Sequence, residues 1–371
     1  MAIYKIFPSK DATLYTEYPT MNTGLDEILE ASTYIKNGDD QVSRYLIQFT
    51  DNDINNVINN KVSGASFKTY LKNYKAIITG LNLDTTLEIY PISGSWGMGT
   101  GKFEDSPITD NGTSWTWRDY EGGNKWSTSS FSPYVTASFS GTTGGGTWYT
   151  GSSLGLNIVH TQSFSYSDPL DLNVDVTNTV LNWYSSSIVN DGFIVKQYST
   201  SEFSQNDANT TYMKFFSIDT HTIYPPYLEF RWDDYIFNTG SSSNTITTTS
   251  NILLSLDSNI GEYYSGSIQK FRLNVAQKYP PRTYSTSSGY TVNYYLPQGS
   301  TYAIKDTKTN EYIIDFDNTY TRISADSTGN YFTLYMDGFE PERYYTVLIK
   351  TTIDGSTLIH DQDLTFKVVN G

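Results

Sequence analysis

The sequence predicts an all-β protein made of two β-sandwiches in tandem, and three observations carry that prediction. Short runs alternate apolar and polar residues at period two. Aromatic and β-branched residues are abundant, with 32 tyrosines in 371 residues, and these types suit a pleated, half-buried surface. Gly, Asn and Asp fill the gaps between runs, where they supply turns. Leu- and Ala-rich helical stretches are scarce, and the length fits two domains of ~150 residues or more.

In chain order, "SRYLIQF" (Ser43 to Phe49) sets Tyr45, Ile47 and Phe49 on one face and reads as a strand with one buried side. "FTDNDINNVINNKV" carries Asp51 as a candidate N-cap before a short polar helical turn. "TTLEIYPI" (Thr85 to Ile92) sets Leu87, Ile89 and Pro91 against Glu88 and Tyr90. The Gly/Ser/Thr-rich stretch from Phe103 to Gly155, with embedded tryptophans, reads as long surface loops. "DVTNTVLNWYSSS" (Asp175 to Ser187) has Val176, Val180 and Trp183 at helical spacing and Thr177 as a candidate cap. In "YPPYLEFRWDD" (Tyr224 to Asp234), Leu228, Phe230 and Trp232 face one way and Tyr227, Glu229 and Arg231 the other. Pro225 and Pro226 stand before the strand because they cannot donate to a ladder.

Residues 238–251, "NTGSSSNTITTTSN", are polar without apolar periodicity and read as a linker or an exposed loop. Seven short strands follow: "NILLSLD", "IQKFRLNV", "YTVNYYL", "EYIIDFD", "NYFTLYMD", "RYYTVLIKTT" and "LTFKVV". Turn signals such as "KTNE", "STGN" and "DGST" separate them, which is the pattern of an immunoglobulin-like β-sandwich. The expected division is 1–236, a linker over 237–250, and 251–371.

Composition narrows the chemistry. Lys and Arg total 24 against 39 Asp and Glu, a formal net charge of -15. Such a surface repels phosphate backbones, so no nucleic-acid partner is expected. Cysteine is absent, which removes disulfides, thiolate nucleophiles and zinc-thiolate sites. "MAIYKIFPSKDATLY" lacks the apolar core of a secretory signal, and no apolar run is long enough to span a bilayer, so folding in a cytoplasm is expected.

Each chemical motif has a plainer reading. "GSSLG" (Gly151 to Gly155) has the form of a hydrolase elbow, but a Gly-rich loop precedes it and strand-like "LNIVH" follows, where the elbow needs strand then helix. His160, His221 and His360 are scattered along the chain and are expected to be structural or exposed. "DNDINN" starts like a calcium loop but has Asn56 where Gly is needed and Val62 where Glu is needed. "DSNIGE" (Asp257 to Glu262) reads as a short acidic turn. Glu104, Asp105, Asp119 and Glu121 crowd one loop and Glu202 and Asp207 another; a glycosidase needs two carboxylates at about 5–9.5 Å across a cleft. In an acidic chain, a solvated surface is the expected reading. No catalytic residue, metal site or cofactor is assigned.

The aromatic set Trp96, Trp115, Trp117, Tyr120, Trp126, Trp148 and Tyr149 admits three readings: rings that pin long loops to a sandwich, a protein interface, or a sugar site. Trp115 and Trp117 would share a face if locally extended. For partner contact the candidates are Trp115, Trp117, Tyr120, Trp126, Trp148 and Tyr149. Asn-x-Thr sequons stand at Asn111 and Asn209 and carry meaning only on a secretory route.

Five motifs in order carry a resemblance: "KDATLYTEYPTMNTGLDEILEAS", "SRYLIQFT", "GSWGMGTG" followed by "GTSWTWRDY", "LDLNVDVTNTVLNWYSSSIVNDGFIVK" and "PPYLEFRW". Together the region from about residue 8 to 233 resembles the DNRLRE or disaggregatase-related β-sandwich domains, some of them classed as carbohydrate-binding modules. The insertion "DNDINNVINNKVSG" and the enlarged Trp/Gly loops depart from that pattern. The resemblance implies a jelly-roll-like sandwich for the N-terminal two thirds. The whole chain, including "NYFTLYMDGFEPERYYTVLIKTTIDG", also resembles virion structural proteins of T4-like tailed bacteriophages of marine bacteria. This implies a non-enzymatic virion component in the tail, baseplate, fibre or another surface part. Its partners would be other virion proteins and host-surface polysaccharide, and homo-oligomers are compatible with it. The alternatives are a carbohydrate-binding module and, third, a polysaccharide depolymerase, although no 20–50-residue repeat is present.

Overall fold

The structure is a computed structural model that describes residues 2–79, 84–126, 134–136, 144–150, 156–165, 167, 169–204, 210–241, 244–280 and 294–371. It is 46% strand and 7% helix, with several antiparallel sheets, so the chain is all-β. Two compact units emerge: a first of Ile6–Lys61 and Lys68–Glu229, and a second of Met1–Lys5, Val62–Phe67 and Phe230–Gly371. The strand Tyr227–Trp232 straddles the division.

In the first unit the largest sheet runs in the order His160–Phe164, Thr85–Pro91, Phe193–Gln197, Asp39–Gln48, Lys10–Tyr15, and Thr33–Lys36 also pairs with Asp39–Gln48. Its register aligns Ala12 with Leu46 and Leu46 with Ile194. Phe193 and Tyr45, on the other face, meet Trp183 and Phe215 at ring-centroid distances of 4.6 and 5.9 Å. The opposing layer holds Ile28–Glu30, Tyr212–Phe216 and Lys75–Thr79 in one sheet, and Phe67–Asn73 paired with Leu172–Asp175 in another.

This sheet departs from the expected one-sided strand. Ser43, Arg44, Tyr45, Leu46 and Ile47 are all buried, and so is Glu88 on the face expected to meet solvent. The reason is that Trp96, Trp115, Trp126 and Trp148 pack over Ala12, Leu14, Leu46 and Ile194, forming a second core on the far side of the sheet.

Both helical expectations hold in place and change in detail. Asp51–Asn56 is α-helix and Val57–Val62 continues it as π-helix. The cap is Thr50 and not Asp51: Thr50 Oγ1 accepts from Asp53 N at 3.1 Å and donates to Asp53 Oδ2 at 2.6 Å. Nor is the segment merely a polar turn, since Ile54, Val57, Ile58 and Val62 recur at helical spacing and are buried. For Thr177–Tyr184 the N-cap is Val176, with no side-chain cap. Thr177 instead accepts from Thr69 N at 2.9 Å, and Asp175 Oδ1 takes the Thr177 N–H at 3.0 Å.

The second unit is a sandwich. One sheet is ordered Ile252–Asp257, Ile268–Gln277, Gly329–Tyr335, Ser324–Asp326. The other is Glu262–Tyr264, Ser356–Val369, Arg343–Ile353, Thr301–Asp306, Tyr312–Ile314. Phe271 lies opposite Phe332 and stacks on it at 5.5 Å, and Phe332 meets Tyr302 at 4.4 Å. The "DG" signal makes the tight hairpin expected of it, with Asp354 at φ 48 and Gly355 at φ 77. Strands Glu262–Tyr264, Thr301–Asp306 and Ser324–Asp326 add to those foreseen, while "YTVNYYL" falls mostly outside the described residues. The expected linker is partly packed: Asn238 N donates to Ala325 O, Ile246 N to Tyr295 O, and Ile246 joins the core.

Candidate functional site

The aromatic loops of the first unit are anchored from beneath by charge. Arg44, fully buried, donates from Nε and Nη2 to Glu202 at 2.9 and 2.7 Å and from Nη1 to Gly145 O at 2.7 Å. Its guanidinium lies 4.8 Å from the Trp115 ring centre and 5.4 Å from that of Trp148. Lys196, opposite Glu88 in the sheet register, binds Glu88 at 2.9 Å and Glu202 at 3.3 Å, and also reaches Gln197 O and Ser199. Burial pushes the Glu88 carboxyl up, but Lys196 beside it and hydrogen bonds from Lys196 and Ser199 outweigh this and leave it below the ordinary range. Two cations face two carboxylates, so the buried cluster carries no net charge.

The roof needs glycine. Gly144 and Gly145 have φ +115 and +75, and a Cβ on either would run into Trp115. Gly145 N donates to Trp115 O at 2.7 Å.

Four of the six predicted contact residues are therefore interior. Trp115, Trp126, Trp148 and Tyr149 are at most 6% exposed. Trp126 Nε1 donates to Ser114 O, and Trp96, also buried, donates to Asp191 O with Lys10 Nζ 4.3 Å from its ring centre. The expectation that Trp115 and Trp117 share a face is corrected: Trp115 faces the core, and Trp117 lies half-buried on the strand Trp117–Asp119. Trp117 meets Tyr120 edge-on at 5.4 Å, and Lys125, on the paired strand Asn124–Lys125, places Nζ 4.8 Å from its ring centre. Tyr120 is 40% exposed. A hydrogen bond with Asp110 raises its phenol pKa. Arg118 donates to Ser95 O at 2.8 Å, which ties the hairpin to the loop around Ser95, and Asp119 accepts from Gly122 N at 3.2 Å within the hairpin's own turn. The result is a small aromatic and cationic platform on a fastened base.

Glu202 is committed to Arg44 and Lys196, whereas Glu104 and Glu121 are exposed. "DNDINN" is helical, and in "DSNIGE" Asn259 accepts from Gly261 N and from the Tyr263 hydroxyl, making a turn. His221 is exposed, and His360 is buried with Nε2 3.0 Å from Thr351 Oγ1. Among the described residues no three His, Asp or Glu side chains are grouped to hold a metal ion, and no helix is long and apolar enough to cross a membrane. "GSSLG", Asp207 and Asn209 lie outside the described residues.

Sequence reasoning missed the Arg44–Glu202–Lys196–Glu88 cluster. Its signal is three charged residues on otherwise apolar strands, Arg44, Glu88 and Lys196, of which a one-sided strand pattern puts Arg44 and Glu88 on the solvent side.

No family model matches the chain, and no curated protein matches it. Among solved structures, it is similar to a Bacteroides fragilis protein described as a candidate beta-galactosidase, at 8% identity and a TM-score of 0.19, covering 97% of this chain and 41% of the other. It is also similar to a DUF4785 family protein from Legionella pneumophila, at 8% identity and a TM-score of 0.17, covering 100% of this chain and 66% of the other. The chain thus spans less than half of the first protein's length and about two thirds of the second's.

Proposed function

We propose that this protein is a non-enzymatic structural component of a tailed bacteriophage particle, exposed on the virion and working through protein–protein contacts. One observation supports the contact role above the others: the Trp117–Tyr120–Lys125 platform stands on loops whose buried tryptophans are clamped by Arg44. A platform already held rigid loses little conformational entropy when a partner seats on it, and aromatic and cationic side chains are the groups that anchor interfaces. The phage setting rests on the resemblance of the sequence, and the charge of -15 argues against nucleic acid as the partner.

In a particle, many copies act together, so weak contacts gain ~10² to 10⁴ in avidity. Cryo-electron microscopy of purified virions tests the assignment: the chain is expected at a fixed, symmetric copy number, and its absence from the particle ends the idea. Within that experiment, Trp117→Ala with Tyr120→Ala is expected to lower incorporation while leaving the melting temperature of the isolated protein within about 2 °C, as for surface substitutions. Normal incorporation of the double variant would remove the platform from the proposal.

A further inference from the structure

The second unit carries a β-arm that reaches past its sandwich. Arg343–Ile353 and Ser356–Val369 pair from Ile353 opposite Ser356 down to Ile349 opposite His360, where the register shifts. Thr301–Asp306 accompanies the first of these strands only as far as Lys350, and Glu262–Tyr264 meets the second only from Lys367. Residues 354–359 are all exposed, Leu358 at 40% and Ile359 at 47%. The arm is nevertheless braced. The Thr352 and Thr357 hydroxyls lie 2.9 Å apart, Thr351 Oγ1 is 3.0 Å from His360 Nε2, and Thr249 Oγ1 is 3.4 Å from Ser356 Oγ.

The outer edge of the arm has a defined hydrogen-bonding pattern. Ile353 and Ser356 close the two-residue Asp354–Gly355 turn as a hydrogen-bonded pair, and bonded and non-bonded pairs alternate from there. Thr357 and Ile359 therefore turn their backbone N–H and C=O groups away from Arg343–Ile353, toward the open side. Sheet edges are usually blunted by charge or proline. Residues 355–360, "GSTLIH", contain no Asp, Glu, Lys, Arg or Pro.

We infer that this edge docks a second copy of the chain, strand against antiparallel strand, around a two-fold axis at Leu358. In that register Thr357 and the partner's Ile359 exchange both N–H···O bonds, and the symmetry repeats the exchange. Leu358 meets the partner's Leu358 with Cβ atoms ~4.5–5.5 Å apart. Asp361 falls across from the partner's Gly355 and Asp354 from the partner's Gln362, so no charge meets its like. This selects a copy as the occupant: a chain of net charge -15 repels itself except along an uncharged edge whose outward groups, at Thr357 and Ile359, stand evenly about Leu358. The contact runs one five-stranded sheet into the next. It does not depend on the platform at Trp117.

Sedimentation velocity on the full chain over a concentration series tests it. A reversible dimer is expected with a Kd on the order of 100 µM, since so short an edge covers less than the ~800 Å² per partner of stable complexes. Leu358→Asp and Leu358→Lys, at a half-exposed site, are each expected to weaken self-association by about tenfold or more, because like charges then face each other across the axis. An equimolar mixture of the two is expected to dimerise, because the charges are then opposite. Thr357→Pro removes an outward N–H and no bond of the arm's own ladder, and is expected to lower dimerisation as well; the charge pair keeps the test valid if proline disturbs the arm. A monomer at every concentration, which would leave the edge to a strand of some other protein, overturns the inference. So do wild-type dimers that Leu358→Asp leaves intact, or a mixture of the two charge variants that stays monomeric.

Discussion

Asp11 sits fully buried in the first unit, and its carboxyl is displaced from ordinary behaviour in a way that stability measurements can read. Burial pushes its pKa up to about 8; the backbone N–H of Ile218, 2.8 Å from Oδ2, works against this, and the charges of Asp219 and Asp26 add to the rise. Its other oxygen, Oδ1, is buried without a hydrogen-bond partner, as is the hydroxyl of Tyr45, two residues from Asp11 in the strand register. A carboxyl raised in the folded state contributes stability that is fully present below its unfolded pKa near 3.8 and is lost as pH rises through about 8. His160, depressed to about 4, costs stability as pH falls through its unfolded value near 6.5, but it is common to the wild type and the variant below and cancels in their difference.

The perturbation is Asp11→Asn, which keeps an acceptor for Ile218 and cannot ionise. Between pH 6.5 and 8 the wild type is expected to lose roughly 1.7 kcal/mol relative to the variant, from about 1.4 kcal/mol per pH unit with half-protonation at pH 8 allowed for. Urea denaturation at pH 6.5, 7.2 and 8.0, followed by tryptophan fluorescence, measures this as a change in midpoint at constant slope. Parallel stability curves for the two proteins across that window would refute the reasoning, since they would mean that Asp11 is already ionised in the folded state.

Two further outcomes follow from the buried cluster and the sheet. Glu202→Ala leaves Arg44 and Lys196 short of a counter-charge and is expected to cost about 3–5 kcal/mol, whereas Arg44→Met with Glu202→Leu should recover much of that loss; equal damage from the single and double variants in denaturation would contradict the charge argument. Gly192 has φ +93, and a Cβ there meets the backbone of Ile47 and Gln48, so Gly192→Ala is expected to destabilise by at least about 2 kcal/mol; a midpoint unchanged within error would show that the turn can relax.

The sequence by itself determined the class of the molecule. Period-two alternation in residues 43–49, 85–92 and 227–232 marks strands wherever they sit, because the pleat turns successive side chains to opposite faces regardless of context. The Asp354–Gly355 hairpin was equally legible, since a left-handed pair at a two-residue turn is a local requirement. Only the tertiary structure decided what the second face of those strands meets. Arg44 and Glu88 fall on the solvent side of one-sided strands yet are buried, Arg44 under Gly145 and the Trp115 and Trp148 rings, and Trp115 and Trp117, two residues apart, end on opposite sides of the surface. Burial on that face depends on a loop about a hundred positions away from Arg44, and local periodicity holds no information about a contact of that range.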